Sequence, residues 1–234
     1  LAVYAAARPP VPLGVSLPGR LAAKVVGVGL PVALERVVAA AAQNVYLNAV
    51  ARGGARALAA HNIGITVELL VIQPTFALST AALIASGHSV GADDLGSASS
   101  LARESAKIGA LWMGLAALLL AALSPFAGWL FTRDPEVARL TAAYLLLAAA
   151  SEPGLGVSQA YFGALRGVGS VWTPFLISAF TVTALRALPA QLLSLSYGAV
   201  GAWVTQNTDM YGRALLAYAV WRTMGVRRLA KKLV

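Results

Sequence analysis

The sequence predicts an all-α membrane protein with six transmembrane helices, and three observations lead to that fold class. Of the 234 residues, 59% are hydrophobic and only 12% are charged, whereas an average soluble domain is roughly 25% charged. The apolar residues form runs of about 20 or more, the length that crosses a hydrocarbon core of ~30 Å. Isolated acids and prolines stand inside these runs, as in membrane helices that line a cavity.

The basic residues indicate a membrane surface rather than a nucleic-acid partner. The net charge is +9, yet the Lys and Arg residues fall between or after apolar runs and form no basic stripe with aromatic residues. We interpret them as topology signals and as contacts with anionic lipid headgroups. The absence of Cys excludes disulfides and thiolate metal sites. We find no phosphate loop, catalytic triad or paired-acid pattern, so we expect neither an enzyme nor a bound metal.

The chain divides into three predicted parts. Residues 1–20 are a Pro-rich linker, because three prolines within four residues are incompatible with a helix. The apolar stretch LAVYAAA at its start is expected to be the remnant of a preceding helix. Residues 21–222 form the six-helix transmembrane unit, and residues 223–234 form a basic cytoplasmic tail.

The second predicted helix, Ala59 to Gly91, is the one around which the others are organised. It is apolar over about the length of a bilayer core, but it contains one carboxylate, Glu68, and one proline, Pro74. The first helix, at residues 21–50, carries a second carboxylate, Glu35. A proline kink beside a lone acid is how a membrane helix places a polar group against a cavity.

Helices three and four follow a polar loop. We expect the loop, residues 90–107, to include a short interfacial helix. The third helix, about residues 108–131, is rich in Leu and Ala and uncharged, so we expect it to face lipid. Asp134 is the predicted N-cap of the fourth helix, with Pro135 at the first helical position, and this helix ends near residue 165.

Helices five and six, about residues 171–193 and 199–221, are separated by the break SYGAVG. Helix five carries Arg186. Helix six carries Asp209 and Arg213, which are four residues apart, so that an ion pair between them is geometrically available. We expect that pair to be structural.

The distribution of positive charge predicts that both termini are cytoplasmic in a multi-pass plasma-membrane protein. Six spans place both ends on the same side, and eleven basic residues then lie inside against four outside, which agrees with the positive-inside rule. The inside set is Arg8, Arg20, Lys24, Arg103, Lys107, Arg166, Arg222, Arg227, Arg228, Lys231 and Lys232, and the outside set is Arg52, Arg56, Arg133 and Arg139.

Polar side chains inside the apolar helices are the candidate functional residues. A charge buried in lipid costs several kcal/mol, so an intramembrane carboxylate needs a structural partner or a function. Interhelical hydrogen bonds explain most buried amides, and a substrate pathway would use some of them. The ion-coupling candidates are Glu35, Glu68 and Glu152, and the substrate-pathway candidates are Gln43, Asn44 and Gln159.

Six segments together resemble the multidrug and toxic compound extrusion (MATE) transporters. They are VGLPVALE (28–35), LAAHNIGITVELLVIQP (58–74), FTRDPEVARL (131–140), GALRGVGS (163–170), LRALPA (185–190) and GAVGAWVTQNTDMYGRALLAY (198–218). The resemblance covers nearly the whole chain but corresponds to the second half of a family member. It implies a six-helix lobe of a twelve-helix, two-lobe transporter that exchanges cationic amphipathic compounds for protons or sodium by alternating access.

The resemblance also bears on the ion site. In some branches the acids that bind the coupling ion in this lobe align with Ala39 and Leu155, which cannot bind a cation through their side chains. Glu35 and Glu152 lie about one turn away on the same helix faces. Either the site has shifted by a turn, or coupling belongs to the other lobe. Glu68 matches a glutamate that is common in the prokaryotic pattern.

Two alternative functions remain open at this stage. A lipid or saccharide-lipid flippase of the same superfamily would line its cavity with basic residues, for which Arg36, Arg186 and Arg213 are available. A lone lobe could instead be a non-transporting fragment or an assembly partner. The expected partners are the lipid bilayer, small cationic amphipathic molecules, and either the missing first lobe or a second copy of the chain.

Overall fold

The computed structural model describes residues 19–230 as long helices joined by short turns, with no strand in that range. The predicted linker lies outside the described residues except for its last two, which begin the first helix, and residues 231–234 of the predicted tail also lie outside. The helices are α1 (Gly19–Ala51), α2 (Ala55–Gly91), α3 (Leu95–Ala127), α4 (Pro135–Gly167), α5 (Trp172–Phe180) and α6 (Leu188–Ala230), with a π-helical segment (Thr181–Ala187) between the last two.

Aspartate caps fix the starts of α3 and α4. Asp94 accepts a hydrogen bond from the backbone N–H of Ser97, and Asp134 accepts from those of Glu136 and Val137. These bonds satisfy N–H groups that have no partner within the helix. Hydrogen bonds from Ser97 hold the pKa of Asp94 below its usual value. The pKa of Asp134 is also lowered, and the hydrogen bond from the Glu136 N–H is the largest cause. The predicted Asp134 cap is confirmed.

The expected loop at residues 90–107 is wrong, because α3 is continuous from Leu95. Ala98, Ala102 and Ala106 recur every four residues and are buried. The charged residues of the same turns are exposed, and Lys107 pairs with Glu104 at 2.8 Å. An amphipathic helix therefore accounts for the polarity that suggested a loop.

Five segments of the described chain are long and apolar enough to cross a membrane, and the last of them holds two spans. That segment has 55 residues and would be about 80 Å long if straight, far more than a ~30 Å core. Gly198 interrupts it with φ 56° and ψ −143°. The parts of the segment before and after Gly198 run antiparallel, because the Thr208 hydroxyl donates to the Leu185 carbonyl at 2.6 Å.

We call residues 172–197 the fifth span and residues 199–224 the sixth span. With α1 to α4, they make the predicted six-helix membrane fold, which is confirmed. The predicted break falls at Gly198. A second glycine, Gly225, has φ 63° and ψ 154° and ends the sixth span. Beyond it Val226 and Leu229 are buried, so the start of the predicted tail packs against the helices.

Helix α4 lies at the centre of the bundle and has the largest buried share of the described spans. Its glycines let neighbouring helices approach closely, because a Cβ at Gly163 would overlap the backbone carbonyl of Ser79, and one at Gly156 would overlap that of Gly109. Small residues serve this purpose at helix contacts in membranes. The outer face of α3 is exposed, with Leu118 70% exposed, which agrees with the expected lipid contact.

In a six-span chain, the turns after the first, third and fifth spans lie on the same side of the membrane, and in this structure these turns contact one another. Arg56, at the start of α2, pairs with Asp134 at 2.9 Å and with Glu136 at 2.8 Å at the start of α4. Gly53, in the first turn, packs against Ala199 in the last. These contacts support the alternation of the spans, and the cytoplasmic location of the termini remains a prediction.

Candidate functional site

A cavity of about 660 Å³ lies among α1, α2, α4 and the fifth and sixth spans. Apolar side chains form much of its wall. Gln43 and Gln159 are in the wall, as expected for substrate-pathway residues, and so are Ala39 and Leu155. Its charged lining residues are Glu35, Glu68, Arg36, Arg166, Arg186 and Arg213.

Glu68 is the carboxylate that two other helices hold in place. The Tyr144 hydroxyl donates to its Oε2, and Gln206 Nε2 donates to its Oε1 at 2.9 Å. Tyr144 reaches Glu68 by crossing α2 at Gly64, where any Cβ would overlap the phenol ring. The chain therefore places Glu68 in the cavity wall with both carboxylate oxygens accepting hydrogen bonds.

Glu152 lies beside Glu68 but is held differently. Its side chain is 1% exposed, and neither of its oxygens accepts a hydrogen bond from the part of the chain that the structure describes. Glu68 is its ionisable neighbour, and Ser151, adjacent to Glu152, lies 3.4 Å from the Gln206 Nε2 that binds Glu68. Two of the three predicted ion-coupling residues thus meet at one point of the fold.

Glu35, the third ion-coupling candidate, is engaged elsewhere in the wall. Arg166 Nη2 donates to its Oε2 at 2.7 Å, and the Ser178 hydroxyl donates to its Oε1 at 3.0 Å. This ion pair joins α1, α4 and the fifth span. No local pattern indicated Arg166, because the pair forms across 131 residues of sequence.

The predicted ion pair of the sixth span is formed. Arg213 Nη2 lies 2.7 Å from Asp209 Oδ2, and Asp209 is fully buried. Arg186 of the π-helical segment adds a second cation, with its Nη1 3.9 Å from the same oxygen. Arg186 also lies over the ring of Tyr46, 4.4 Å from its centroid.

Asn44 does not belong to the cavity wall. It is exposed and donates to the Ala40 carbonyl of its own helix at 3.0 Å. Its neighbour Gln43 takes the position in the wall, because adjacent helical residues point about 100° apart. Asn44 thus lies outside the wall and Gln43 and Gln159 within it, and the substrate-pathway role of all three stays a prediction.

Tyr144 and Gln206 were not among the predicted site residues, although both bind Glu68. Gln206 stands three residues before Asp209, and hence near the same helix face. That spacing is the signal that could have indicated its location. Tyr144 carried no comparable signal, because its role depends on the gap that Gly64 leaves in a different helix.

A family model described as MatE matches residues 31–192. The chain belongs to the MatE family. The resemblance to MATE transporters is thereby confirmed, and so is the prediction that the chain is not an enzyme, because members of this family are transporters. The chain is accordingly a multi-pass membrane protein, and the lipid bilayer is its environment.

Curated relatives of this MatE chain carry multidrug resistance names. The probable multidrug resistance protein NorM of Thermotoga maritima is 26% identical over 196 residues, which are 82% of this chain and 42% of that protein. A NorM of Geobacillus kaustophilus is 31% identical over 181 residues, 74% of this chain and 39% of the relative. The multidrug resistance protein MdtK of Yersinia pseudotuberculosis is 28% identical over 197 residues, 81% of this chain and 43% of the relative. The chain spans less than half the length of these relatives.

Solved structures share the fold of the MatE chain at low sequence identity. A MATE in complex with MaL6 aligns with a TM-score of 0.86 and 14% identity, covering 97% of this chain and 52% of that one. The bent form of the Vibrio cholerae MATE transporter VcmN gives 0.79, 18% identity and coverage of 94% and 48%. A MOP superfamily transporter from Pyrococcus furiosus, reported with a binding pocket of reverse polarity, gives 0.78, 19% identity and coverage of 87% and 45%.

Proposed function

We propose that the chain is one lobe of a cation-coupled efflux transporter, and that Glu68 and Glu152 are its coupling site. One observation carries this proposal: two buried carboxyl groups are neighbours, and one of them lines the cavity. Two like charges in contact and away from water cannot both be ionised at low cost. The pair is therefore built to hold at least one proton or a cation in its place.

The hydrogen-bond donors around Glu68 favour the proton over sodium. An O–H from Tyr144 and an N–H from Gln206 already point at its oxygens. Such donors stabilise a carboxylate but oppose a metal cation, which needs several oxygen lone pairs directed at it. A protonated Glu152 can donate to Glu68, which would give its own oxygens the partner they otherwise lack.

Alternating access requires a second body on the far side of the cavity. We propose that a first lobe, or a second copy of this chain, supplies it, because the chain spans less than half the length of its curated relatives. Light scattering on the detergent-solubilised 234-residue chain distinguishes the two. A stable dimer supports the second copy, and a monomer supports a separate first lobe.

Dye export by the intact two-lobe transporter tests the coupling proposal. In cells without their own pumps, the transporter should lower accumulation of a cationic dye, and Glu68→Gln or Glu152→Gln should abolish this effect. Glu104→Gln is the matched control, because Glu104 pairs with Lys107 at the exposed surface. Unchanged export by both site variants would contradict a coupling role for the pair.

A second candidate substrate class is favoured by Arg36. Both carboxylates of the wall are occupied, Glu35 by Arg166 and Glu68 by Tyr144 and Gln206. Arg36 lines the cavity, and no described carboxylate pairs with it. A cationic substrate thus finds no uncommitted carboxylate in the wall, whereas an anionic headgroup finds a guanidinium. This arrangement makes an anionic lipid, and hence the flippase alternative, the second candidate.

Two fluorescent probes with the same tail separate these substrates, one with a phosphate head and one with a trimethylammonium head. If the cavity takes anions, the phosphate probe should bind about tenfold more tightly, the value of one charge-assisted hydrogen bond. Arg36→Glu should reverse the preference. Arg139→Gln, at the exposed start of α4, should leave it unchanged. Tighter binding of the trimethylammonium probe to the unmodified chain would support cationic substrates.

A further inference from the structure

We propose that Gln206 transmits the protonation state of the Glu68–Glu152 pair to Arg186 in the cavity wall. This inference rests on the proposed coupling site. Gln206 Oε1 accepts from Arg186 Nη2 at 3.3 Å, and Gln206 Nε2 donates to Glu68 Oε1 at 2.9 Å. One amide therefore joins the acid pair to a cation that faces the substrate.

The orientation of the Gln206 amide is fixed by its two neighbours. The side chain is 3% exposed, and its Nε2 also lies 3.4 Å from the Ser151 hydroxyl. A flipped amide would direct its N–H groups at the guanidinium of Arg186 and its carbonyl at the carboxylate of Glu68. Both contacts would then be repulsive, so the amide bridges in one orientation only.

Arg186 is held loosely enough to respond. Its contacts with Gln206 and Asp209 are 3.3 and 3.9 Å long, whereas Arg213 holds the same aspartate at 2.7 Å. Arg186 also stands in a π-helical turn, a geometry that is rare and that occurs mostly at functional sites. Its guanidinium also lies over the face of Tyr46, a contact that constrains it less than a direct hydrogen bond would.

A change at the acid pair alters the bridge. When Glu68 is an anion, its Oε1 attracts the Gln206 N–H, and this polarises the amide carbonyl toward Arg186. When Glu68 takes up a proton, that attraction weakens and Arg186 is released toward Asp209 or toward a ligand in the cavity. Protonation of the pair therefore changes the affinity of Arg186 for a ligand. By linkage, binding of that ligand changes the proton affinity of the pair by the same factor.

Other ionisable groups surround the pair, and their effects on its protonation must be distinguished from the effect of the Gln206 bridge. Tyr46 comes from α1, His61 from α2, Tyr144 from α4, and Asp209 and Arg213 from the sixth span. Arg186 could also act on Glu68 directly through space. A double-mutant cycle on Arg186 and Gln206 distinguishes the two routes, because a direct charge effect survives removal of the amide.

The readout is a pH titration of tryptophan fluorescence in the detergent-solubilised 234-residue chain. Trp203 reports on the site, since it lies three residues before Gln206 and its ring is 5.5 Å from that of Tyr144. Trp203→Phe should remove the transition. Arg186→Met should move its midpoint to higher pH by about one unit, because a nearby cation favours the carboxylate. In a Gln206→Met background, this shift should fall by more than half.

Two variants define the outcomes. An undiminished Arg186→Met shift in the Gln206→Met background would overturn the bridge while leaving the acid pair intact. A transition that persists in both Glu68→Gln and Glu152→Gln would instead overturn the proposed coupling site. If Gln206→Met does not fold, Gln206→Asn replaces it. Asn is one methylene too short to span both partners, so undiminished coupling in that variant would also overturn the bridge.

Discussion

Glu35 and Arg166, 131 residues apart in sequence, form a 2.7 Å ion pair between the middle of α1 and the end of α4. Both side chains are about one-fifth exposed. The Ser178 hydroxyl completes the contact from the fifth span. The pair therefore ties α1, which is otherwise little buried, to the central helix of the bundle.

Glu35→Gln should lower the free energy of unfolding by about 2 kcal/mol, the scale of a hydrogen bond to a charged group. The variant leaves the Arg166 cation in the cavity wall without its carboxylate. Unfolding in mixed detergent micelles gives the measurement. Glu104→Gln, which breaks an exposed pair, should cost under about 1 kcal/mol. Equal effects of the two variants would show that the Glu35 pair adds no more stability than an exposed pair.

Glu152→Gln should leave the fold intact and weaken the dependence of the melting temperature on pH. An amide has nearly the shape of a protonated carboxyl group and can donate to Glu68, so the substitution mimics the neutral form. The melting temperature of the variant between pH 5 and pH 8 should vary less than that of the unmodified chain. A steeper dependence in the variant would exclude a proton on the pair.

Gly163→Ala should destabilise the bundle by about 2 kcal/mol or more, as overpacking at a close contact does. The new methyl group would overlap the backbone carbonyl of Ser79, which cannot move without shifting α2. Gly114→Ala, where nothing lies within 4 Å, is the control. That variant should be neutral or stabilising, because Ala favours the helix. Thermal unfolding of both variants compares the effects.

Asp134→Ala should lower the melting temperature at neutral pH but not in strong acid. The hydrogen bond from the Glu136 N–H depresses the pKa of the Asp134 carboxyl below its usual value, so the stabilisation that this carboxylate gives is fully present above the unfolded-state pKa. It is lost as the pH falls through the lower folded-state value. Melting curves from pH 3 to pH 7 should show the two proteins converging at the acid end. Asp93→Asn, outside this cap, should show no such convergence.

Local signals made the helices predictable, whereas the site needed tertiary contacts. Apolar runs and the Asp134-Pro135 sequence are read within one helix, and the spans followed from them. The 90–107 segment failed because its charges occupy one face of a helix whose other face is alanine. Asn44 lies outside the cavity wall because one residue of helical phase separates it from Gln43. The meeting of Glu68 with Glu152 could not be predicted, since no sequence spacing determines how α2 packs on α4.

Gly198 has a consequence for biosynthesis. A single residue at φ 56° and ψ −143° joins two membrane spans, in a conformation that residues with a Cβ rarely adopt. No polar loop separates the two spans, so we do not expect them to insert into the bilayer independently. We therefore expect the fifth and sixth spans to enter the bilayer as one hairpin, with Arg186 already in contact with Gln206 and Asp209.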